Sequence, residues 1–111
     1  MKSMEEYIFV KSDRRYFKVI LNNILFIEGL KDYVIIQMEN GQHIITRMNV
    51  KSIHDLLPKS TFFRISRSYI VNKDHIDSFS SNDVFIKSYE IAIGNSYRDA
   101  LLEELLKNSL P

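Results

Sequence analysis

The hydrophobic pattern of the chain is a series of short β-branched and aromatic runs separated by polar turn clusters. Tyr7 to Lys11 is the first such run, Ser12-Asp13-Arg14-Arg15 interrupts it as a turn, and Tyr16 to Leu21 resumes strand character. Asn22-Asn23 breaks the pattern. Ile24 to Glu28 is apolar on both parities, which predicts a central strand. After a loop over Gly29-Leu30-Lys31-Asp32, the runs Tyr33–Met38 and Gln42–Arg47 flank Glu39-Asn40-Gly41. Asn-Gly between two strand-like runs predicts a hairpin whose type I′ turn puts both central residues at positive φ.

A period near 3.6 appears twice. Asn49 is placed to cap a short helix in which Val50, Ile53 and Leu57 recur at i, i+3 and i+7 before Pro58 stops it. The second helix is expected over 97–108, with Ser96 as cap, Asp99 three residues on, and Leu101, Leu102, Leu105 and Leu106 as its apolar face. Between the helices lie the runs 62–72, 75–79, 84–87 and 90–93, with Ser80-Ser81-Asn82-Asp83 as a turn. This succession of hairpins contains no βαβ unit. The expected fold class is mostly β with two short helices, an elongated arrangement of small, mainly antiparallel sheets.

Chemistry is densest in Phe62-Phe63-Arg64-Ile65-Ser66-Arg67-Ser68-Tyr69-Ile70-Val71-Asn72. Phe63, Ile65, Tyr69 and Val71 share one parity, and Arg64, Ser66, Ser68 and Ile70 share the other, as in a half-buried strand. The stretch collects two guanidiniums, two hydroxyls and an amide. It reads as a recognition strand or loop pinned to a β core by its apolar face. Guanidinium forks match phosphates and guanine edges, while hydroxyls and amides make shorter contacts that set register. Arg67 is the better candidate for a nucleic-acid contact, because Arg64 can instead pair with a carboxylate inside the domain. Asn72, just before a turn, fits a cap for its own backbone. Phe63 and Tyr69 fit the core, and the leucine stripe of the last helix fits core or dimer packing.

At 111 residues the chain is long enough for one domain with a modest core. Residues 1–6 read as an N-terminal extension, 7–107 as the domain and 108–111 as a tail. No cysteine is present, so neither disulfides nor thiolate metal sites are possible. Together with the lack of a leader-like apolar run or a membrane-length segment, this predicts a cytoplasmic protein away from the membrane. The net charge is only +1, but it is unevenly spread. Up to residue 75 there are twelve Lys/Arg against eight Asp/Glu, and after it three against six. A basic body with an acidic tail is compatible with a polyanion on one face and equally with scatter over a solvated surface.

Catalysis finds little support, and no catalytic residue, cofactor or metal is expected. His43, His54 and His75 lack paired-ligand spacing, and Gly29, Gly41 and Gly94 are isolated, so no phosphate loop exists. Ser66, His75 and Asp77 can be combined on paper, without a nucleophile elbow.

The sequence resembles the LytTR-type DNA-binding domain of bacterial response regulators. The resemblance rests on the run from Phe62 to Asn72, similar to the family's Phe-x-Arg-x-x-Arg-Ser-x-x-Val-Asn, and on Asn23 to Gly29 followed by Asp32-Tyr33-Val34. Arg47, Val50, Ile53 and Leu57-Pro58 resemble its short-helix segment, and the likeness spans roughly residues 7 to 106. It implies double-stranded DNA binding by loops entering successive major grooves, with no recognition helix. Three regions would carry the contacts: Lys31, Asp32 and Tyr33; the arginine run, with Arg64, Ser66, Arg67 and Ser68; and Asn95, Ser96 and Arg98 at the entry to the last helix, where helix N-terminal N–H groups also suit phosphate. It further implies transcriptional regulation as the output of a two-component phosphorelay, dimers on paired direct repeats, and a receiver domain in cis if the chain is a fragment. Two positions depart from the family pattern. Ser66 stands where the family often has His, and Gly94-Asn95-Ser96 where it often has Ser-Arg. The alternative is a β-rich protein-interaction module binding a partner through sheet edges or the leucine-faced helix. RNA is disfavoured because the aromatics fall on core parity.

Overall fold

The computed structural model describes residues 5–107 and 109. Residues 1–4 of the expected extension, and 108, 110 and 111 of the expected tail, lie outside it. The described residues form three antiparallel sheets. Strands β1 (Tyr7–Ser12) and β2 (Arg15–Ile20) make a hairpin. Strands β3 (Ile24–Gly29), β4 (Val34–Met38), β5 (His43–Thr46), β6 (Phe62–Arg64) and β7 (Tyr69–Asn72) form a five-stranded sheet in the order β5-β4-β3-β7-β6. Strands β8 (Ser78–Phe79), β9 (Asp83–Ile86) and β10 (Tyr89–Ala92) make the third sheet. The helices are α1 (Val50–Asp55) and α2 (Arg98–Leu105).

The five-stranded sheet is covered on both faces at its central strands β3 and β7, while β4 and β5 bury one face. Against one face pack Val10 and Val19 of the first hairpin and Val50, Ile53 and Leu57 of the α1 segment, meeting Ile27, Val34, Ile36 and Ile70. Against the other pack Val84, Ile86, Ile91 and Ile93 of the third sheet and Leu101 of α2, meeting Leu25, Phe26 and Val71. Consecutive residues Ile70 and Val71 thus enter different cores, as alternate side chains of a central strand must. A bulge between Ile24 and Phe26 turns Leu25 and Phe26 alike toward the second core. Asn72 is fully buried at the end of β7. Its Nδ2 donates to the carbonyls of Ile24 (2.9 Å) and Leu21 (3.4 Å), while its Oδ1 accepts from Asp74 N (2.9 Å). It caps its own backbone, as expected, and also fastens the start of β3.

Three local expectations need correction. The run from Phe62 to Asn72 is not one half-buried strand but two strands joined by a loop at 65–68, and both parities of β7 are buried. The last helix begins at Arg98, with Tyr97 in the cap position and no side-chain cap. Ser96 does not cap because Tyr97 N bonds back to Gly94 O (3.0 Å), closing a turn that leaves Ser96 one residue too early. The helix ends at Leu105, short of the expected Asn108, which lies outside the described residues.

The third correction concerns turns. Asn40-Gly41 does not form a type I′ turn, since only Gly41 has positive φ (89°). Instead Gly41 N bonds to Met38 O and Met38 N to Gln42 O, giving a three-residue turn with glycine in the left-handed place, braced by Asn40 Oδ1 accepting from Gln42 N. The two-residue turn with both φ positive lies in the first hairpin, at Asp13 (51°) and Arg14 (67°) between paired Ser12 and Arg15. Aspartate tolerates that region, whereas arginine is strained there by about 1–2 kcal/mol. Arg14→Gly is therefore expected to stabilise the fold by about 0.5–1 kcal/mol after the extra chain entropy of glycine is subtracted. A raised urea midpoint with unchanged slope checks it.

Candidate nucleic-acid interface

The three loops singled out in the sequence are neighbours joined through their backbones. The loop after β3 is closed by Leu30 N to Tyr33 O (2.8 Å), and it leaves Lys31, Asp32 and Tyr33 exposed. At its base, Gly29 N donates to Ser68 O (2.6 Å), which fixes it to the β6–β7 loop. A side chain at Gly29 would collide with Val50, so the close approach of loop, helix and β7 requires glycine there. On the other side, Gly94 N donates to Ile65 O (2.8 Å), which fixes the turn before α2 to the same loop. A Cβ on Gly94 would sit 3.4 Å from Ser66 Cα and Cβ. The β6–β7 loop is the middle of the three, and the outer two hang from it.

Arg64 holds that middle loop in shape. Its Nε donates to Ser66 O (3.1 Å) and its terminal nitrogen to Arg67 O (2.8 Å), with the guanidinium 5.9 Å from the Tyr97 ring. It thus pairs with carbonyls and not with a carboxylate. Ser66 Oγ accepts from Ser68 N and Tyr69 N (3.2 and 3.1 Å), so the hydroxyl turns the chain at the loop tip. Ile65, fully buried, anchors the loop to the second core. Arg67 and Ser68 then stand exposed at the tip, and among the described residues the Arg67 guanidinium has no hydrogen-bond or salt-bridge partner. Burial, with the Glu28 carboxylate alongside, pushes the Tyr69 phenol above its ordinary range and keeps it neutral.

Arg98 plays a similar holding part in the third loop. It donates to Ser81 O (2.6 Å), Asn82 Oδ1 (3.3 Å) and Asn95 Oδ1 (3.0 Å), tying the β8–β9 turn to the turn before α2. Asn95 and Ser96 are exposed. The site residues thus divide into those that build the loops (Arg64, Ser66, Arg98) and those that face solvent (Lys31, Asp32, Tyr33, Arg67, Ser68, Asn95, Ser96). The paper combination of Ser66, His75 and Asp77 does not assemble. His75 contacts Asn22 O (2.6 Å) and Asp77 accepts from Lys87 N (2.7 Å).

A family model for the LytTr DNA-binding domain matches residues 14–106. The chain belongs to the LytTR family. A solved structure with the same fold is that described as the LytTr DNA-binding domain of a methyl-accepting/DNA response regulator from Bacillus cereus. Its TM-score is 0.73 at 20% identity, over 94% of this chain and 98% of that one. No curated protein sequence matches the chain. The LytTR match takes in all three loops, so the loops that meet here belong to the shared domain.

One exposed cation near this LytTR surface was missed in the sequence. Arg47 lines a cavity of about 510 Å³ with Lys31, Asp32, Met48 and Asn49. The three-residue turn pairs Val34 with Thr46 and so brings Arg47 opposite Tyr33. The sequence placed Arg47 only in the short-helix segment, and no local pattern reports its approach to Lys31 and Asp32.

Proposed function

We propose that the domain binds double-stranded DNA sequence-specifically as a transcriptional regulator, reading the major groove with the three joined loops and no recognition helix. The observation that carries this is the pair of backbone bonds, Gly29 to Ser68 and Gly94 to Ile65, which hold three polar loops in fixed relation around Arg67, whose side chain has no partner among the described residues. Fixed spacing between loops is what contact with successive turns of one duplex requires. In this reading Arg67 addresses a guanine edge and Asn95 can address adenine, while Lys31 and the turn before α2 take phosphates. Dimers on paired direct repeats, some bending of the duplex, and coupling to a phosphorylated receiver domain in cis belong to the same proposal, as output of a two-component system.

Selection of binding sites from random duplex DNA tests it directly. Enrichment of one motif, as a repeat spaced by about one helical turn, is the expected outcome. No enrichment even at low salt would overturn direct DNA binding. A salt-tolerant protein partner depending on the exposed Leu106 would then favour the interaction-module reading.

A further inference from the structure

Next to the loop at Lys31–Tyr33, the first hairpin and the β4–β5 hairpin enclose a cavity of about 620 Å³. Its lining includes Lys11, Arg14, Tyr33, Ile45 and Arg47, with Asp13 as its one carboxylate. Arg47 and the Tyr33 loop are shared with the smaller cavity that holds Lys31, so the two hollows form one continuous surface. Its four cations, Lys11, Arg14, Lys31 and Arg47, outnumber its two carboxylates, Asp13 and Asp32; the cations are exposed, and among the described residues none has a hydrogen-bond or salt-bridge partner. Lys11 lies 6.0 Å from the Tyr16 ring centroid, a contact that leaves its ammonium protons free for another acceptor.

The turn that carries Arg14 supplies a second, independent indication. A two-residue turn with both φ positive favours glycine or asparagine, yet arginine occupies the second place at φ 67°. Strain retained at an exposed tip, where the permissive residue would relieve it, is a reason to look for a role of the side chain beyond stability. The side chain kept there is a cation bordering a basic hollow.

We propose that the Asp13-Arg14 turn, Lys11 and Arg47 form a phosphate-binding extension of the interface, gripping the backbone of the same duplex beside the loop at Lys31–Tyr33 without reading bases. This rests on the DNA reading above. The cations come from the first hairpin, the β4–β5 hairpin and the loop after β3, and they line two adjoining hollows that share Arg47. That distribution suits a linear polyanion better than a single small anion.

The salt dependence of binding measures such contacts, because each neutralised phosphate adds about 0.9 to the slope of log K against log salt. For the Arg14→Ala/Arg47→Ala variant, the slope is expected to fall by about 2 and affinity at physiological salt by roughly tenfold or more, equally for the selected site and a scrambled duplex. A charge-matched variant, Lys73→Ala/Lys107→Ala, outside the three loops and the two hairpins, is expected to keep the wild-type slope. Arg14→Gly/Arg47→Ala removes the same charges while relaxing the turn, and its equal loss of affinity would rule out unfolding as the cause.

An unchanged slope in a variant that still prefers the selected site would overturn the extension and leave the DNA reading intact. Failure of the wild type to bind any duplex would overturn both. Inorganic phosphate, tested at constant ionic strength, is expected not to displace the duplex. Displacement that disappears in the double variant would show a small-anion pocket in place of a backbone grip, and would also overturn the proposal.

Discussion

Arg67→Ala is expected to remove most of the preference for the selected site, weakening it by about 5- to 150-fold while leaving the fold intact. The range follows from about 1–3 kcal/mol for one good bidentate contact to a base, at about 1.4 kcal/mol per tenfold. The stability change should stay within about 0.5 kcal/mol, because the side chain is exposed and makes no bond to any described residue. What Arg67 gives the loop is its carbonyl, which accepts from Arg64, and alanine keeps that carbonyl. Fluorescence anisotropy on the selected duplex and on a scrambled one checks both halves of the expectation. Equal weakening on the two duplexes would make Arg67 a phosphate contact, and no weakening would take it out of the interface.

Asn72→Ala carries the largest expected cost to the fold, about 2–4 kcal/mol. The side chain is fully buried, and its removal strands the carbonyl of Ile24 and the N–H of Asp74, while the Leu21 carbonyl loses its second donor and keeps the Ile24 N–H. Each buried polar group left unpaired costs about 1–3 kcal/mol, and some of that is recovered by water entering the space. For a domain of this length the fall in Tm should be roughly 10–20 °C. Leucine should not rescue the loss, since it fills the volume but accepts and donates nothing. A drop below about 0.5 kcal/mol in urea unfolding would mean that the strand ends hold without the amide.

Asn72 also shows how far the sequence could be read. Its place just before a turn announced the cap on Asp74, but the bonds to Leu21 and Ile24 cross some fifty residues, and no local pattern reports them. The hairpins, the short helix behind Asn49 and the central position of Ile24–Glu28 were legible because period and capping are local. The run at Phe62–Asn72 misled for the opposite reason. Its parity is regular, but a strand between two cores buries both faces, so alternation there could not reveal the loop at 65–68. The turn types were exchanged because Asp13-Arg14 accepts a strained conformation that the residues do not favour. Arg47 was read only as part of the short-helix segment, and its place beside Lys31 and Asp32 depends on how the β4–β5 hairpin packs against the loop after β3. The loops were found, but not the division of labour within them. Arg64 and Arg67 carry the same group, and only geometry shows one guanidinium bonded to carbonyls and the other without a partner among the described residues.

The two cores on opposite faces of the central sheet have a consequence for motion. The loop at Lys31–Tyr33 sits beside the first core, through Val34 and the close approach of Gly29 to Val50, and the turn before α2 sits beside the second, through Ile93 and Leu101. Partial opening of either layer would pull one loop away from the β6–β7 loop while the other stayed docked. A duplex spanning all three would bind only the state in which both layers are closed, and would thereby couple two openings that are separable in the free chain. Amide hydrogen exchange should show this. The Val34 and Ile91 amides, expected to exchange at independent rates without DNA, should slow together when the duplex is added.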